Sequence, residues 1–518
     1  MIYLLSHTIT NAAKRFPNRP AFRCGTQEVT YSQMEKRMHQ LAACLYEAGV
    51  RKGDRVGIYL HRSLETAIAI YGILHVGAVY VPIDPKAPIA RSQFLISDCN
   101  IKVLISHRSQ KRNLEKIIAD PTELKTIIGL EESWSVDTLS WETVYQGADH
   151  FEPPYRVLEK DLAYIMYTSG STGQPKGIMH THYSGLSYAR LTTELYGVTE
   201  QDVVGNHAPI HFDICTFGYF TSPFAGACTV IVTDAATIFP ASLGELIEKE
   251  KITIWYSVPL ALIQMLQNGI LDEKKMSALR WILYGGEEFP IKYLRTLMER
   301  WPHTTFCNVY GPAEVNQCTY YHIPELPTSD DPIPIGQIWG NTDYLIINEE
   351  GDRVDDNETG ELLIRSATQM KGYWNNSELT EKSLYKEQDA SGEEMAFYKT
   401  GDLVKEIDGV LHFLGRKDFQ VKIRGYRVEL GAVESFLLTH QSVKEAAVFP
   451  VRISEEKQQI EAAVILNAGS TEKEKDLIDF LKTKLPFYAV PTELKLVDDF
   501  PRTSSGKIKR SAIKKLVL

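Results

Sequence analysis

Residues Tyr167–Gly177 read YTSGSTGQPKG. Thr168, Ser169, Ser171 and Thr172 are interleaved with Gly170 and Gly173, and Pro175, Lys176 and Gly177 close the run. Phosphate oxygens need several donors converging on a small volume; glycine lets backbone N–H groups approach, and hydroxyls add more donors. The apolar segment LAYIMY, residues 162–167, leads in, which predicts a strand ending at the loop. In open α/β sheets such strand ends are where ligands bind. A Walker A loop needs its second glycine five residues after the first; counted from Gly170, that residue is Pro175. The spacing therefore excludes a P-loop nucleoside triphosphatase.

The same alternation extends outward from this loop. YSQMEKRMHQLAACLYEAG and SLETAIAIYGILHVG carry apolar residues at helical spacing, while DRVGIYL, VYVPID, KVLISH, KTIIGL, CTVIVTD, ITIWYSVP and RWILYGG are short apolar strands. Such alternation predicts an α/β fold with largely parallel sheets. From about Gly340 the texture changes to short strands broken by Asn, Asp and Gly, as in DYLIINEEGDRVDDNETGELLIRS, which predicts a hairpin-rich β subdomain. After Arg416 about a hundred residues remain, enough for one small α+β domain.

At 518 residues the chain is too long for one core. A net charge of −10 argues against a nucleic-acid partner, which would need a basic face. The cysteines, Cys24, Cys44, Cys99, Cys215, Cys228, Cys307 and Cys318, form no C-x-x-C pair and no disulfide framework, so reduced thiols in a cytoplasmic protein are expected. MIYLLSHTIT has no basic region ahead of its apolar run, and no stretch reaches ~18 apolar residues, so neither a signal peptide nor a membrane span is expected.

YTSGSTGQPKG resembles the signature loop of the adenylate-forming superfamily, which includes acyl-CoA synthetases, luciferases and nonribosomal peptide adenylation domains. Members activate a carboxylate with ATP to an acyl-adenylate and pyrophosphate, then pass the acyl group to a thiol. The resemblance implies that Thr168, Ser169, Gly170, Ser171, Thr172, Gly173 and Lys176 hold the β- and γ-phosphates. Further segments fit in family order. NVYGPAE at Asn308–Glu314 resembles the aromatic-Gly-x-x-Glu motif, with Ala313 in place of the commoner Thr. It implies that Asn308 and Val309 line the nucleotide site, that Tyr310 lies against adenine and that Glu314 binds Mg²⁺. A carboxylate is a suitable hard ligand for Mg²⁺. YGGEE, with Gly285, Gly286 and Glu287, resembles the adenine-side loop. YKTGDL implies Asp402 on the ribose hydroxyls, and GRKDFQVKIRGYRVEL implies Arg416 beside it and a hinge at Asp418. PRTSSGKIKR resembles the C-terminal loop whose lysine, here Lys507, bridges the substrate carboxylate and the α-phosphate. The implied layout is a large N-terminal domain, residues 1–417, of two α/β subdomains plus a β-rich subdomain. A small mobile α+β C-terminal domain, residues 418–518, follows it.

HAPIHFDICTFGYF at His207–Phe220 resembles the amino-acid-recognising segment of peptide adenylation domains, with Asp213 at the position that pairs with the substrate α-ammonium. A buried carboxylate without a cation is costly; as an alternative, Asp213 caps the helix after it. By the same positional resemblance Ile214, Phe217, Tyr256, Leu283, Gly285, Val309, Gln317 and Cys318 line the side-chain pocket. Most are apolar, and Gln317 is the clear polar group. Phe217, Tyr256, Leu283 and Cys318 look like free-standing ligases that load L-proline onto a carrier protein, whereas Gly285 and Gln317 depart from that pattern and leave a larger or more polar amino acid open. D-alanine–carrier protein ligases are similar in length and layout, and an acyl- or aryl-CoA ligase would share the chemistry. No room remains after Lys507 for a carrier domain, so a separate carrier with a phosphopantetheine thiol is the expected partner.

Overall fold

Apolar runs of four to seven residues recur between helical stretches, and the computed structural model turns them into strands of two large sheets. It describes residues 1–501 and 513, apart from 121, 133, 171–173, 274, 418, 419 and 455–457. Contacts divide the chain into two compact units. One is Met1–Pro85, Leu95–Met166 and Gly177–Lys417; the other is Lys86–Phe94, Tyr167–Lys176 and Asp418–Leu518.

In the first unit, a nine-stranded sheet has a parallel centre of Pro20–Cys24, Cys228–Ile231, Val203–Asn206, Ile254–Ser257, Trp281–Gly285 and Thr305–Tyr310, in that spatial order. Antiparallel strands close both edges: Gln27–Thr30 on one side, Thr319–Ile323 and Gln337–Ile338 on the other. The largely parallel sheet expected from the alternation is thus present, with hairpin-like returns at its rims. An eight-stranded sheet contains Leu162–Thr168, Val79–Pro82, Arg55–Ile58 and Val103–Ile105 as neighbours. Helix Leu64–His75 is buried at almost every position. A helix apolar on all sides belongs inside a core. A β-carbon at Gly72 would crowd the Leu41 side chain, so the glycine lets this helix pack close against Tyr31–Glu47.

The texture change near residue 340 marks an antiparallel sheet of Thr342–Ile347, Thr359–Ser366, Glu394–Ile407 and Leu384–Gln388, with Val410–Arg416 paired to Glu394–Ile407. The last hairpin turns on Asp408 and Gly409, both at positive φ (52° and 76°). A two-residue turn of that kind matches the twist of its strands, and a register shift between Leu403 and Val404 then sets Asp402 opposite Arg416.

The second unit holds the hairpin Gln420–Ile423/Tyr426–Glu429 and a three-stranded sheet of Val443–Arg452, Gln458–Leu466 and Glu493–Leu496. Helices Leu430–Leu438 and Glu474–Lys482 bury Val433, Leu437, Leu477 and Leu481 with Val448 and Val464 of the sheet. The mixed α/β class read from the sequence is the observed one.

Candidate functional site

Asp402 and Arg416 face each other because a one-residue register shift between Leu403 and Val404 offsets the pairing that the Asp408–Gly409 turn begins. The Asp402 carboxylate is 4% exposed and accepts hydrogen bonds from the Arg416 guanidinium and the Tyr310 hydroxyl. Arg416 also donates to the Thr400 carbonyl at 3.1 Å, and the Asp402 N–H donates to Thr400 Oγ1 at 3.0 Å. A buried carboxylate is tolerated when a cation and further donors satisfy it. Tyr310 is held fully protonated: burial, then the Asp402 charge, drive its phenol well above the ordinary tyrosine range. Three residues from separate motifs, two of them in the β-rich sheet and one on the nine-stranded sheet, therefore meet at one carboxylate.

After Tyr310 the chain doubles back. A β-carbon at Gly311 would collide with the Asn316 carbonyl, and Asn316 takes a positive φ of 60°. The Cys318 N–H closes the loop on the Tyr310 carbonyl at 3.0 Å. Glu314, inside this loop, is 0% exposed. Its carboxylate accepts the Tyr373 hydroxyl at 2.8 Å, and its carbonyl accepts the Met370 N–H at 2.7 Å. His180 Nε2 lies 3.0 Å from the Ala313 carbonyl, which can only accept, so this nitrogen carries the proton. Burial pulls His180 down to about 4, outweighing the Ala313 carbonyl and the Glu314 charge, so the ring is neutral near pH 7. Tyr373 and His180 were not singled out in the sequence; each is far from Glu314 along the chain, and no local pattern marks either one.

Asp213 is half-buried, and its carboxylate accepts the Ile214 N–H at 2.9 Å. Its carbonyl accepts the Thr216 N–H at 2.9 Å and the Thr216 hydroxyl at 2.6 Å. Asn316 Nδ2 donates to the same hydroxyl at 3.2 Å, linking the Glu314 loop to Asp213. Thr216 and Asn316 were also missed, although Asn is a residue that tolerates left-handed turns. The helix after Asp213 winds as a π-helix over Phe217–Thr221, a form frequent at functional sites. Among titratable neighbours, the Asp213 charge adds to burial in raising the phenols of Tyr164, Tyr188 and Tyr256.

The pocket candidates converge for a geometric reason. Tyr256, Leu283 and Cys307 are direct partners on adjacent strands, as are Gly285 and Val309. Partners and alternate residues share a sheet face. Ile214, Phe217, Tyr256, Leu283 and Val309 accordingly pack as one cluster with Tyr188, Tyr196 and Trp339. A β-carbon at Gly285 would overlap the Val309 carbonyl oxygen, so this position is backbone only. Gln317 reaches the cluster through Tyr196, donating to its hydroxyl at 2.9 Å. Cys318 does not join it; the thiol packs with Tyr310, Val315 and Ile178, and burial holds it well above the usual thiol range. Consecutive residues of an extended segment point to opposite sides, which separates Cys318 from Gln317.

Among the residues expected to face a nucleotide, Asn308 lies opposite Tyr284 and its amide donates to the Pro334 carbonyl at 2.9 Å. Gly286 has φ 93°, open to glycine, and Glu287 Oε1 accepts the Leu260 N–H at 3.4 Å. In the second unit, a β-carbon at Gly170 would overlap the Gln174 carbonyl, and Ser169 Oγ donates to the Arg427 carbonyl at 2.9 Å. Thr168 Oγ1 is buried with no hydrogen-bond partner among the described residues. Such an orphaned hydroxyl in a tight glycine loop fits an anionic ligand. Ser171, Thr172, Gly173, Asp418 and Lys507 lie outside the described residues. No helix among the described residues is long and apolar enough to cross a membrane.

Comparison with known proteins identifies the family. The AMP-binding enzyme family matches residues 9–374, and the AMP-binding enzyme C-terminal domain matches residues 432–507. An L-proline--[L-prolyl-carrier protein] ligase of Pseudomonas fluorescens is 30% identical over 99% of both chains. Bacitracin synthase 1 of Bacillus licheniformis is 35% identical over 97% of this chain, which spans only 9% of that synthase. Among solved structures, the Vibrio cholerae adenylation domain AlmE, in complex with glycyl-adenosine-5'-phosphate, superposes with a TM-score of 0.84 at 25% identity, covering 100% of this chain and 98% of that one. The chain belongs to the AMP-binding enzyme family, the adenylate-forming ligases that its ordered motifs resemble.

Proposed function

We propose that the protein activates an amino acid with ATP and loads it onto a separate carrier protein. The amino-acid carboxylate attacks the α-phosphorus, the bond to the β-phosphate breaks, and pyrophosphate leaves. A phosphopantetheine thiol then attacks the aminoacyl carbon, and AMP departs. The observation that carries this reading is Asp213, a half-buried carboxylate facing Tyr188 and Tyr256 at an apolar cluster. A carboxylate in that setting suits a cationic α-ammonium, which a fatty or aryl acid lacks.

The other roles follow the family motifs. Asp402 and Arg416 take the ribose, Tyr310 borders the adenine, and the Thr168–Gly173 loop with Lys176 takes the β- and γ-phosphates. Lys507 approaches the α-phosphate and the substrate carboxylate, and the segment from Asp418 onward turns about that residue between the two half-reactions. Glu314 supplies one hard oxygen donor, and no cluster of three or more His, Cys, Asp or Glu ligands exists among the described residues. That fits Mg²⁺, which keeps water and phosphate oxygens as its other ligands. When bound, the ion neutralises charge on the departing pyrophosphate. Tyr373 and His180 keep the Glu314 loop in place for it. All seven cysteines are buried thiols outside any disulfide, which supports a reducing, cytoplasmic setting.

The full-length proline ligase favours L-proline as the first amino acid to test, beside D-alanine. The test is ATP–pyrophosphate exchange over an amino-acid panel, with AMP and pyrophosphate as products. Asp213→Ala should lower amino-acid-dependent exchange at least about 100-fold, the loss expected for a truncated partner of a buried charge. Exchange with unchanged kinetics would refute the amino-acid assignment.

A further inference from the structure

The cluster beside Asp213 has two polar defects. Gln317 is 2% exposed. Its Nε2 donates to Tyr196 Oη at 2.9 Å and meets the Thr319 carbonyl at 3.5 Å. That carbonyl can only accept, which orients the amide with its NH₂ group toward Thr319. Gln317 Oε1 is left buried with no hydrogen-bond partner among the described residues. The second defect belongs to the cluster that Gln317 reaches through Tyr196. Trp339 donates its backbone N–H to the carbonyl of Cys318, the residue after Gln317, at 3.1 Å. Its indole packs in the Phe217–Tyr256 cluster, 6.0 Å from the Tyr188 ring. Trp339 Nε1 is also buried and unpartnered among the described residues.

One orphan is an acceptor and the other a donor, both edging the same apolar cluster. Buried polar atoms are nearly always paired, and a persistent exception points to a ligand that completes it. Neither the ring of proline nor the methyl of alanine can bond to either atom. We propose, building on the amino-acid activation reading, that the preferred substrate carries an uncharged side chain that both donates and accepts: a carboxamide or a hydroxyl. Its donor meets Gln317 Oε1, its acceptor meets the Trp339 indole N–H, and the carbon stem packs on Phe217 and Tyr256. The α-ammonium remains with Asp213.

The experiment is ATP–pyrophosphate exchange by the full chain on near-isosteric pairs, asparagine against leucine and threonine against valine, with L-proline and D-alanine alongside. A site built to bond a polar group rejects the analogue lacking it strongly. The polar member of at least one pair should therefore lead its partner and L-proline in kcat/KM by about 100-fold or more. In Gln317→Leu that ratio should fall at least about tenfold, through loss on the polar member rather than a uniform decline. Trp339→Phe, which keeps an aromatic ring and removes the N–H, should lower the ratio in the same direction. L-proline or an apolar amino acid as the best substrate overturns the inference and leaves amino-acid activation standing. Exchange with no amino acid at all overturns activation itself. The wild-type panel decides between these even if a variant fails to fold.

Discussion

Replacing Gly285 by alanine tests whether two strands hold the proposed nucleotide and acyl sites in one geometry. A β-carbon there would overlap the Val309 carbonyl oxygen and sit 3.3 Å from its carbon and 3.7 Å from the Tyr256 hydroxyl. The obstacle is backbone, so no side chain can rotate away; strand Trp281–Gly285 or strand Thr305–Tyr310 must shift by about 1 Å, and overpacking of this kind costs about 1–3 kcal/mol of stability. The functional cost is larger. Val309 stands between Asn308 and Tyr310 and itself packs in the acyl cluster, so the shift reaches both substrates. A displacement of about 1 Å at a reacting centre is enough for an approximately 100-fold loss. Pyrophosphate exchange by Gly285→Ala should fall by that order, with kcat affected more than either KM. Gly340→Ala serves as control, because its nearest neighbour would be Leu191 at an ordinary 3.5 Å. Wild-type exchange in Gly285→Ala would show that the two strands do not fix the reacting geometry.

Acid should destabilise the protein through His182. Burial holds its folded-state value at about 3, while an unfolded histidine titrates near 6.5. The unfolded chain therefore takes up the proton first as pH falls, and stability is lost from about pH 6.5 downward, by about 2 kcal/mol at pH 5. His182→Asn keeps an acceptor for the Leu5 N–H, which His182 Nδ1 accepts at 3.2 Å. In urea titrations at pH 7.5 and 5.0, the variant should lose about 2 kcal/mol less than the wild type; equal losses would refute the assignment. Asp402→Asn should raise the KM for ATP about tenfold or more while moving the amino-acid KM less than about twofold, because it weakens only the Arg416–Tyr310 site. An unchanged ATP KM would remove Asp402 from nucleotide binding.

Much of this site was legible in the sequence because its carriers sit in short local motifs. Asp402 and Arg416 each sit in such a motif, but the Asp-Gly turn by itself would pair Asp402 with Gly415; the one-residue shift between Leu403 and Val404 that sets it opposite Arg416 was not legible. Leu283 and Gly285 share a face by alternation, as do Cys307 and Val309. The same alternation separates Gln317 from Cys318, which side-by-side assignment to one pocket overlooked. Tyr373 and His180 were not legible: Tyr373 reaches Glu314 only because Gly372–Tyr373 pairs with Lys176–Thr181, a nonlocal match of a two-residue strand. Nor did any hydrophobic period announce a π-helix at Phe217–Thr221, because one extra residue in a turn leaves an apolar run apolar.

That π-turn holds one residue more than an α-turn would need. An α-helix advances by roughly 100° per residue, so an ordinary insertion turns everything before it to a new face, whereas a π-turn spreads one extra residue over nearly the same rotation. Deleting one residue from Phe217–Thr221 would therefore relax the segment to an α-turn while Asp213 and Ser222–Ala225 keep nearly their present facing. What changes is which side chains line the turn, so a one-residue difference in length here is a route by which relatives can alter the pocket without re-aiming the carboxylate.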